Sequence, residues 1–192
     1  MPNSKISEEK LKENLSSNQI ILNEEEEKMI FNWILSKVEP EKRTIKKTLL
    51  YKLTKDGDSA STFHSKCNYQ GNTLSLIRNT KGYRFGGFTT QSMSSSGSYI
   101  NDKNAFVFSL DYNQCYYTYE GMNAIYDISG YGPTFGNGHD FCIANQCTQN
   151  FSNYCNFPYG YGGGDIRARI LTGGYYCFKV QEIEVFQIEF VD

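Results

Sequence analysis

The chain has no stretch approaching the ~18 consecutive apolar residues that cross a bilayer as a helix. Its N-terminus, Met-Pro-Asn-Ser-Lys-Ile-Ser-Glu-Glu-Lys, lacks the apolar core of a secretory signal. Pro2 stands where N-myristoylation needs glycine. A basic excess is also missing: 19 Lys and Arg face 21 Asp and Glu, for a net charge of −2. That excludes the electrostatic footprint of a nucleic-acid binder. The basic cluster Lys42, Arg43, Lys46 and Lys47 reads as a solvated linker. The cysteines, at 67, 115, 142, 147, 155 and 177, read as reduced thiols in a chain without a signal peptide. These absences predict a cytoplasmic protein with no transmembrane segment.

Glycine is absent before residue 57, although the chain has 17. Residues 1–40 instead hold eight acidic and five basic residues. This break divides the chain into a polar tail (1–22), an amphipathic helix with a linker (23–47) and a domain (48–192). What the domain has in plenty is aromatic rings: the chain carries 15 Tyr and 13 Phe against one Trp. Such content predicts a folded chain and favours strands. The expected class is α+β, predominantly β.

In the appendage, Ser7 is placed to cap a short helix through Leu11 and Asn14. A stronger helix follows Asn23, with Glu26 three residues later as in a capping box. Glu24 to Glu27 fill its first turn, where the helix dipole favours acids. Met29, Ile30, Trp33 and Ile34 form its apolar stripe, and Pro40 ends it. The stripe either docks on the protein's own domain or enters a partner's groove, which makes these four residues candidate partner contacts.

Downstream, Leu49, Tyr51 and Leu53 alternate before a Lys-Asp-Gly turn at 55–57. Asp58 to Cys67 reads as a helix capped by Asp58. Leu74 and Leu76, then Tyr83 to Phe88, read as a hairpin. Thr89 to Lys103 is a Ser-rich loop. Asn104 to Leu110 is apolar on both faces, which predicts a central, doubly covered strand. Cys115 to Tyr119, Ala124 to Ile128 and Phe141 to Ala144 are further strands, and Gln146 to Asp165 is a long irregular loop. Tyr176, Phe178 and Val180 share a parity. Between Ile183-x-Val185 and Phe186-x-Ile188-x-Phe190 the apolar phase changes, and a β-bulge near Val185–Phe186 would restore one apolar face. No period of 20–50 residues recurs, which excludes a propeller or solenoid.

Chemistry-bearing patterns are sparse. The glycine runs at 85–88 and 132–138 match no phosphate-cradling loop, and glycine within a strand marks a bulge or close backbone approach. His139, Cys142, Cys147 and Cys155 have none of the spacing of a common zinc module. His64 and His139 stand by no nucleophile motif. Glu182 and Glu184 share a strand face about 7 Å apart, a separation compatible with glycoside chemistry. The plainer reading makes them a solvent-facing stripe.

One ordered set of motifs resembles the TLDc domain family. It runs through Leu49-Leu50-Tyr51, Asp56-Gly57, Thr62-Phe63-His64, Thr73-Leu74 and Phe85-Gly86-Gly87-Phe88. It continues with Phe106 and Phe108 in Ala-Phe-Val-Phe-Ser-Leu, then Gly132-Pro133-x-Phe135-Gly136, and closes on Phe178-x-Val180-x-Glu182-Ile183-Glu184-Val185-Phe186. The resemblance covers about residues 48–191. It implies a two-sheet antiparallel β-sandwich with short flanking helices, no cofactor and no established catalytic mechanism. It also implies a link to oxidative-stress protection and, for several members, binding to the vacuolar-type proton ATPase. Two departures weaken a transfer of ATPase regulation. The loop after the Gly-Gly-aromatic motif carries Met93 and Tyr99 but no Trp, and a long C-terminal extension is missing.

The functional expectation is a non-catalytic interaction module on a large intracellular complex, with the proton ATPase first. One alternative is a structural subunit of a cytoskeletal or axonemal assembly, at a cilium or an endomembrane, whose contacts would hold the polar tail. Another is an antioxidant or hydrolytic enzyme using a low-pKa cysteine or a carboxylate pair.

Overall fold

The computed structural model describes residues 6–11, 22–38, 44–163 and 167–191. Pro40, Lys42, Arg43, Asn14 and most of the polar tail lie outside the described residues. Ser7 does cap: its Oγ accepts from the Lys10 amide at 3.2 Å, and Glu8 to Leu11 form a helical turn.

Helix α1 (Glu24–Val38) has the expected reciprocal cap. The Glu26 amide donates to Asn23 Oδ1 at 2.9 Å, and the Asn23 amide donates to Glu26 Oε2 at 3.1 Å. Two short helices follow, α2 (Leu53–Asp56) and α3 (Ala60–Cys67). The cap of α3 is Ser59, whose Oγ accepts from Thr62 at 3.1 Å, not Asp58 as expected. Asp58 turns instead to the Thr148 hydroxyl.

The strands are β1 (Thr44–Lys52), β2 (Thr73–Asn79), β3 (Arg84–Thr89), β4 (Ser98–Ile100), β5 (Phe106–Ser109), β6 (Gln114–Thr118) and β7 (Ile125–Asp127). Then come β8 (Tyr131–Phe135), β9 (Phe141–Ala144), β10 (Asn153–Tyr154), β11 (Tyr161–Gly162), β12 (Cys177–Phe178) and β13 (Val180–Val191). The long loop thus contains two short strands. One sheet has the order β1-β13-β2-β3-β5-β6-β11, the other β12-β10-β9-β8-β7-β4. All pairings are antiparallel, so the architecture is the expected predominantly β sandwich with short helices.

The larger sheet is covered on both faces. Its inner face sends Phe85, Val107, Ile183 and Val185 against Phe135, Phe141, Ile143 and Phe178 of the other sheet. Its outer face sends Leu74, Phe88, Phe106, Phe108, Phe186 and Ile188 against Ile30 and Ile34 of α1. Burying each of these isoleucines contributes about 1.5–3 kcal/mol. Trp33 lies edge-on to Phe106 at 6.5 Å and over Phe108 at 6.1 Å.

This layering explains the phase change in β13. Ile183 and Val185 face the sandwich core while Phe186, Ile188 and Phe190 face α1. No bulge restores a single face, because both faces are covered. The register slip falls on the partner strand, between Leu49 and Tyr51, with a second between Val180 and Glu182. Lys46 and Lys47, read as linker, belong to β1 and pair with Glu189 and Glu27.

The glycine motifs serve the same layers. A Cβ on Gly86 would lie 2.0 Å from the Ser75 carbonyl oxygen and 2.7 Å from the Phe108 ring. A Cβ on Gly87 would lie 2.7 Å from the Phe135 ring. The Gly-Gly-aromatic and Gly-Pro-x-Phe-Gly motifs therefore meet at one point, where Gly87 lets a ring from the opposite sheet approach the backbone.

Candidate functional site

The outer face of the smaller sheet carries no covering helix among the described residues. Its register builds one row across the strands. Tyr99 of β4 pairs with Tyr126 of β7. The Ile125–Phe135 pairing places Tyr126 beside Thr134, which pairs with Cys142. Cys142 pairs with Tyr154, and Tyr154 with Cys177. Side chains alternate along strands, so these residues share one face while Ile125, Phe135, Phe141, Ile143 and Phe178 point into the core.

Thr134 and Cys142 are small, and the imidazole of His139 bridges the step between Tyr126 and Tyr154. It stacks on Tyr126 at 4.8 Å and lies 5.8 Å from Tyr154. It is placed there by the β8–β9 turn, in which Gly136, Gly138 and His139 all have positive φ. Tyr99 lies tilted against Tyr126 at 4.6 Å, and Tyr176 extends the row 6.0 Å beyond Tyr154. The Arg169 guanidinium caps the Tyr176 ring at 5.3 Å. Tyr99 is 37% exposed and Tyr176 48%. Tyr176 thus points outward, away from Phe178 and Val180, with which it was expected to share a face.

His139 joins two phenols. Its Nε2 lies 3.1 Å from the Tyr99 hydroxyl, and its Nδ1 is hydrogen-bonded to the Tyr154 hydroxyl. Burial lowers its pKa, so the ring is neutral near pH 7. A neutral imidazole accepts from one tyrosine and donates to the other. Burial raises the Tyr154 phenol, and the adjoining Cys142 adds to the rise.

Two buried carboxylates hold this face in shape. Asp127 accepts from the amides of Ser94, Ser95 and Ser96 at 2.9–3.1 Å and so orders the Ser-rich loop. Burial opposes its ionisation, yet these bonds leave its pKa lowered. Met93, at the position without Trp, is buried and pins the loop to the core. Asp140 accepts from the amides of Tyr159 and Gly160, both at 2.7 Å, tying the β8–β9 turn to the following loop. Both carboxylates point inward, and among the described residues Arg169 brings its positive charge to the end of the row. Tyrosine rings with hydroxyl rims provide large contact area at small entropic cost, the character of a binding hot spot.

The residues singled out from sequence lie elsewhere. Ile30 and Ile34 are fully buried against the protein's own sheet, with Met29 and Trp33 partly buried beside them. Asp56 accepts from the Lys52 amide at 2.8 Å and pairs with Lys66, which together hold its pKa down, and Gly57 follows with φ +94°. Phe63 is core. His64 is buried, with Nδ1 2.9 Å from Asn68 Oδ1 and Nε2 near the Ile128 and Tyr131 carbonyls, so it ties α3 to the smaller sheet. Phe85, Gly86, Gly87, Phe88, Phe106, Phe108, Gly132, Pro133 and Phe135 are buried packing positions. Gly136 shapes the turn that carries His139.

Glu182 and Glu184 are not a solvent-facing stripe. They are 4% and 0% exposed. Glu182 accepts from the Thr54 hydroxyl at 2.6 Å, and Lys52 Nζ reaches Glu184 at 2.7 Å. Cys142, Cys147 and Cys155 are buried, and burial pushes their thiols up to about 11, 12 and 12. Among the described residues no group of three or more His, Cys, Asp or Glu is placed to hold a metal ion. The tyrosine row belongs to no sequence motif. Its signal was present in strands such as Ile125-Tyr126-Asp127, where a Tyr takes the parity opposite to the core residue.

The TLDc domain family model matches residues 15–189. The chain belongs to the TLDc domain family, and the match extends upstream over α1. It is similar to the MTOR-associated protein MEAK7 of Danio rerio, with 28% identity over 161 residues, or 80% of this chain and 35% of that relative. The chain thus spans about a third of the relative it matches. No helix among the described residues is long and apolar enough to cross a membrane.

Proposed function

We propose that this protein is a TLDc interaction module that docks, by a non-catalytic contact, on a large intracellular assembly through the tyrosine and histidine face. The vacuolar-type proton ATPase is the first partner to test, with a role in oxidative-stress protection downstream. The observation that carries the reading is the row Tyr99–Tyr126–His139–Tyr154–Tyr176, half-buried at its centre and exposed at Tyr99 and Tyr176, on the one sheet face without a covering helix among the described residues. Its inward-turned carboxylates and the outward Arg169 favour an acidic partner surface. The α1 stripe is occupied by the protein's own sheet, so docking through it would require the helix to leave.

Family membership supports an interaction role. The association named for the Danio rerio relative makes an mTOR-containing assembly the second partner to probe. Proximity labelling in the native cell, with wild type and a Tyr99→Ala/Tyr126→Ala variant, tests the reading. Labelling of ATPase stator subunits, lost in the variant, is the expected result. Labelling of axonemal or cytoskeletal proteins would replace the partner, and undiminished labelling by the variant would reject the face.

A further inference from the structure

The row is a surface, but its side chains are also linked by a run of hydrogen bonds. The Thr134 hydroxyl donates to Cys142 Sγ at 3.6 Å. Cys142 and Tyr154 are hydrogen-bonded in turn. In the Nε2–H tautomer of His139 the Tyr154 proton is directed at Nδ1, and Nε2–H points to the Tyr99 oxygen. Side-chain chains of this kind polarise one another. A phenol loses an electron most readily when its proton has a base to move to in the same step, and a neutral imidazole is the side chain suited to take it. The rings on either side lie 4.6–6.0 Å apart, centroid to centroid, and reach solvent at Tyr99 and Tyr176. Other tyrosines are more exposed, Tyr69 at 76% and Tyr159 at 63%, but neither is hydrogen-bonded to a base.

We propose that Tyr154 and His139 form a proton-coupled one-electron relay, with the neighbouring tyrosine rings as its conduit to solvent. The oxidant is a one-electron acceptor of the peroxyl-radical class. It takes one electron from Tyr154 and becomes a peroxide anion, which takes a proton from water. The Tyr154 proton moves to His139 Nδ1, leaving a neutral phenoxyl radical and an imidazolium. An external thiol then returns one electron through Tyr176 or Tyr99. It loses its own proton to solvent and becomes a thiyl radical, while His139 hands its proton back to Tyr154. No bond between heavy atoms forms or breaks, and the sum is transfer of one hydrogen equivalent from thiol to peroxyl radical.

The test uses the whole chain and hexachloroiridate(IV) as the one-electron probe, with freeze-quench electron paramagnetic resonance. Wild type is expected to give a long-lived tyrosyl signal with the g-shift of a hydrogen-bonded phenoxyl. Y154F should lose the larger part of it. His139→Phe keeps a ring in the stack but removes the base, and should shorten the signal's lifetime and abolish the g-shift. Tyr69→Phe should change neither. Mass-spectrometric mapping of oxidised wild type gives a readout that needs no variant: modification should concentrate on Tyr99, Tyr126, Tyr154 and Tyr176. A full signal in Y154F, or modification that simply follows exposure at Tyr69 and Tyr159, overturns the relay. Partner capture does not require the Tyr154 proton, so the docking role and the relay fail separately.

Discussion

Gly136 and Asp140 compete for the same space: a Cβ on Gly136 would lie 1.9 Å from Asp140 Oδ2. Gly136 also has φ +93°, a conformation that side-chain-bearing residues adopt at a cost. Gly136→Ala should therefore destabilise the fold by about 3 kcal/mol, through backbone strain and overpacking together. Urea unfolding at pH 7 measures it. A loss below about 1 kcal/mol would mean that the turn shifts freely.

Asp140 should leave its own mark on pH dependence. Burial raises its pKa to about 6 in the folded chain, against an ordinary 3.8. Between those values the folded state holds a proton that the unfolded state has released. The stability this group contributes is therefore full below the unfolded value and declines as pH rises through the window, by on the order of 2–3 kcal/mol. Asp140→Asn removes the titration. The difference in unfolding free energy between wild type and variant should change across pH 4–6 (about the window of the shift), and parallel curves would refute the assignment.

Arg84 joins α1 to the sheet. Its guanidinium binds both Glu26 oxygens, at 2.8 and 2.9 Å, and reaches Asp111 at 3.0 Å. The Asp111 side chain is fully buried. Arg84→Ala should cost about 3–5 kcal/mol, because a buried carboxylate loses its counter-ion. Glu26→Gln should cost less, about 1–2 kcal/mol, since a glutamine still completes the capping box. A double-mutant cycle by urea unfolding reads the coupling, and additive losses would show that the pair contributes nothing jointly.

Thiol labelling should single out Cys177. It is the exposed cysteine, whereas burial pushes Cys67, Cys115, Cys147 and Cys155 to about 12. Thiolate is the reactive form. One equivalent should react rapidly with a disulfide reagent in native buffer, and Cys177→Ser should abolish that phase. Rapid reaction of further thiols would contradict the burial.

The elements with strong local signals were legible in the residues themselves. The Asn23–Glu26 capping box, the doubly apolar strand at Phe106–Ser109 and the hairpin of β2 and β3 follow from capping chemistry and side-chain period, which act over a few residues. The ordered motifs were sufficient for the family. Tertiary structure alone decided what covers each face. Ile183 and Phe186 sit three residues apart yet serve two different cores, because a sheet and a helix press on opposite sides of β13. Glu182 and Glu184 look solvent-bound in sequence and are buried because Lys52 and Thr54 come to them across a strand pairing more than a hundred residues long in sequence. The tyrosine row is of the same kind. Tyr99, Tyr126, His139, Tyr154 and Tyr176 come from five separate segments, and only sheet register sets their rings within stacking distance.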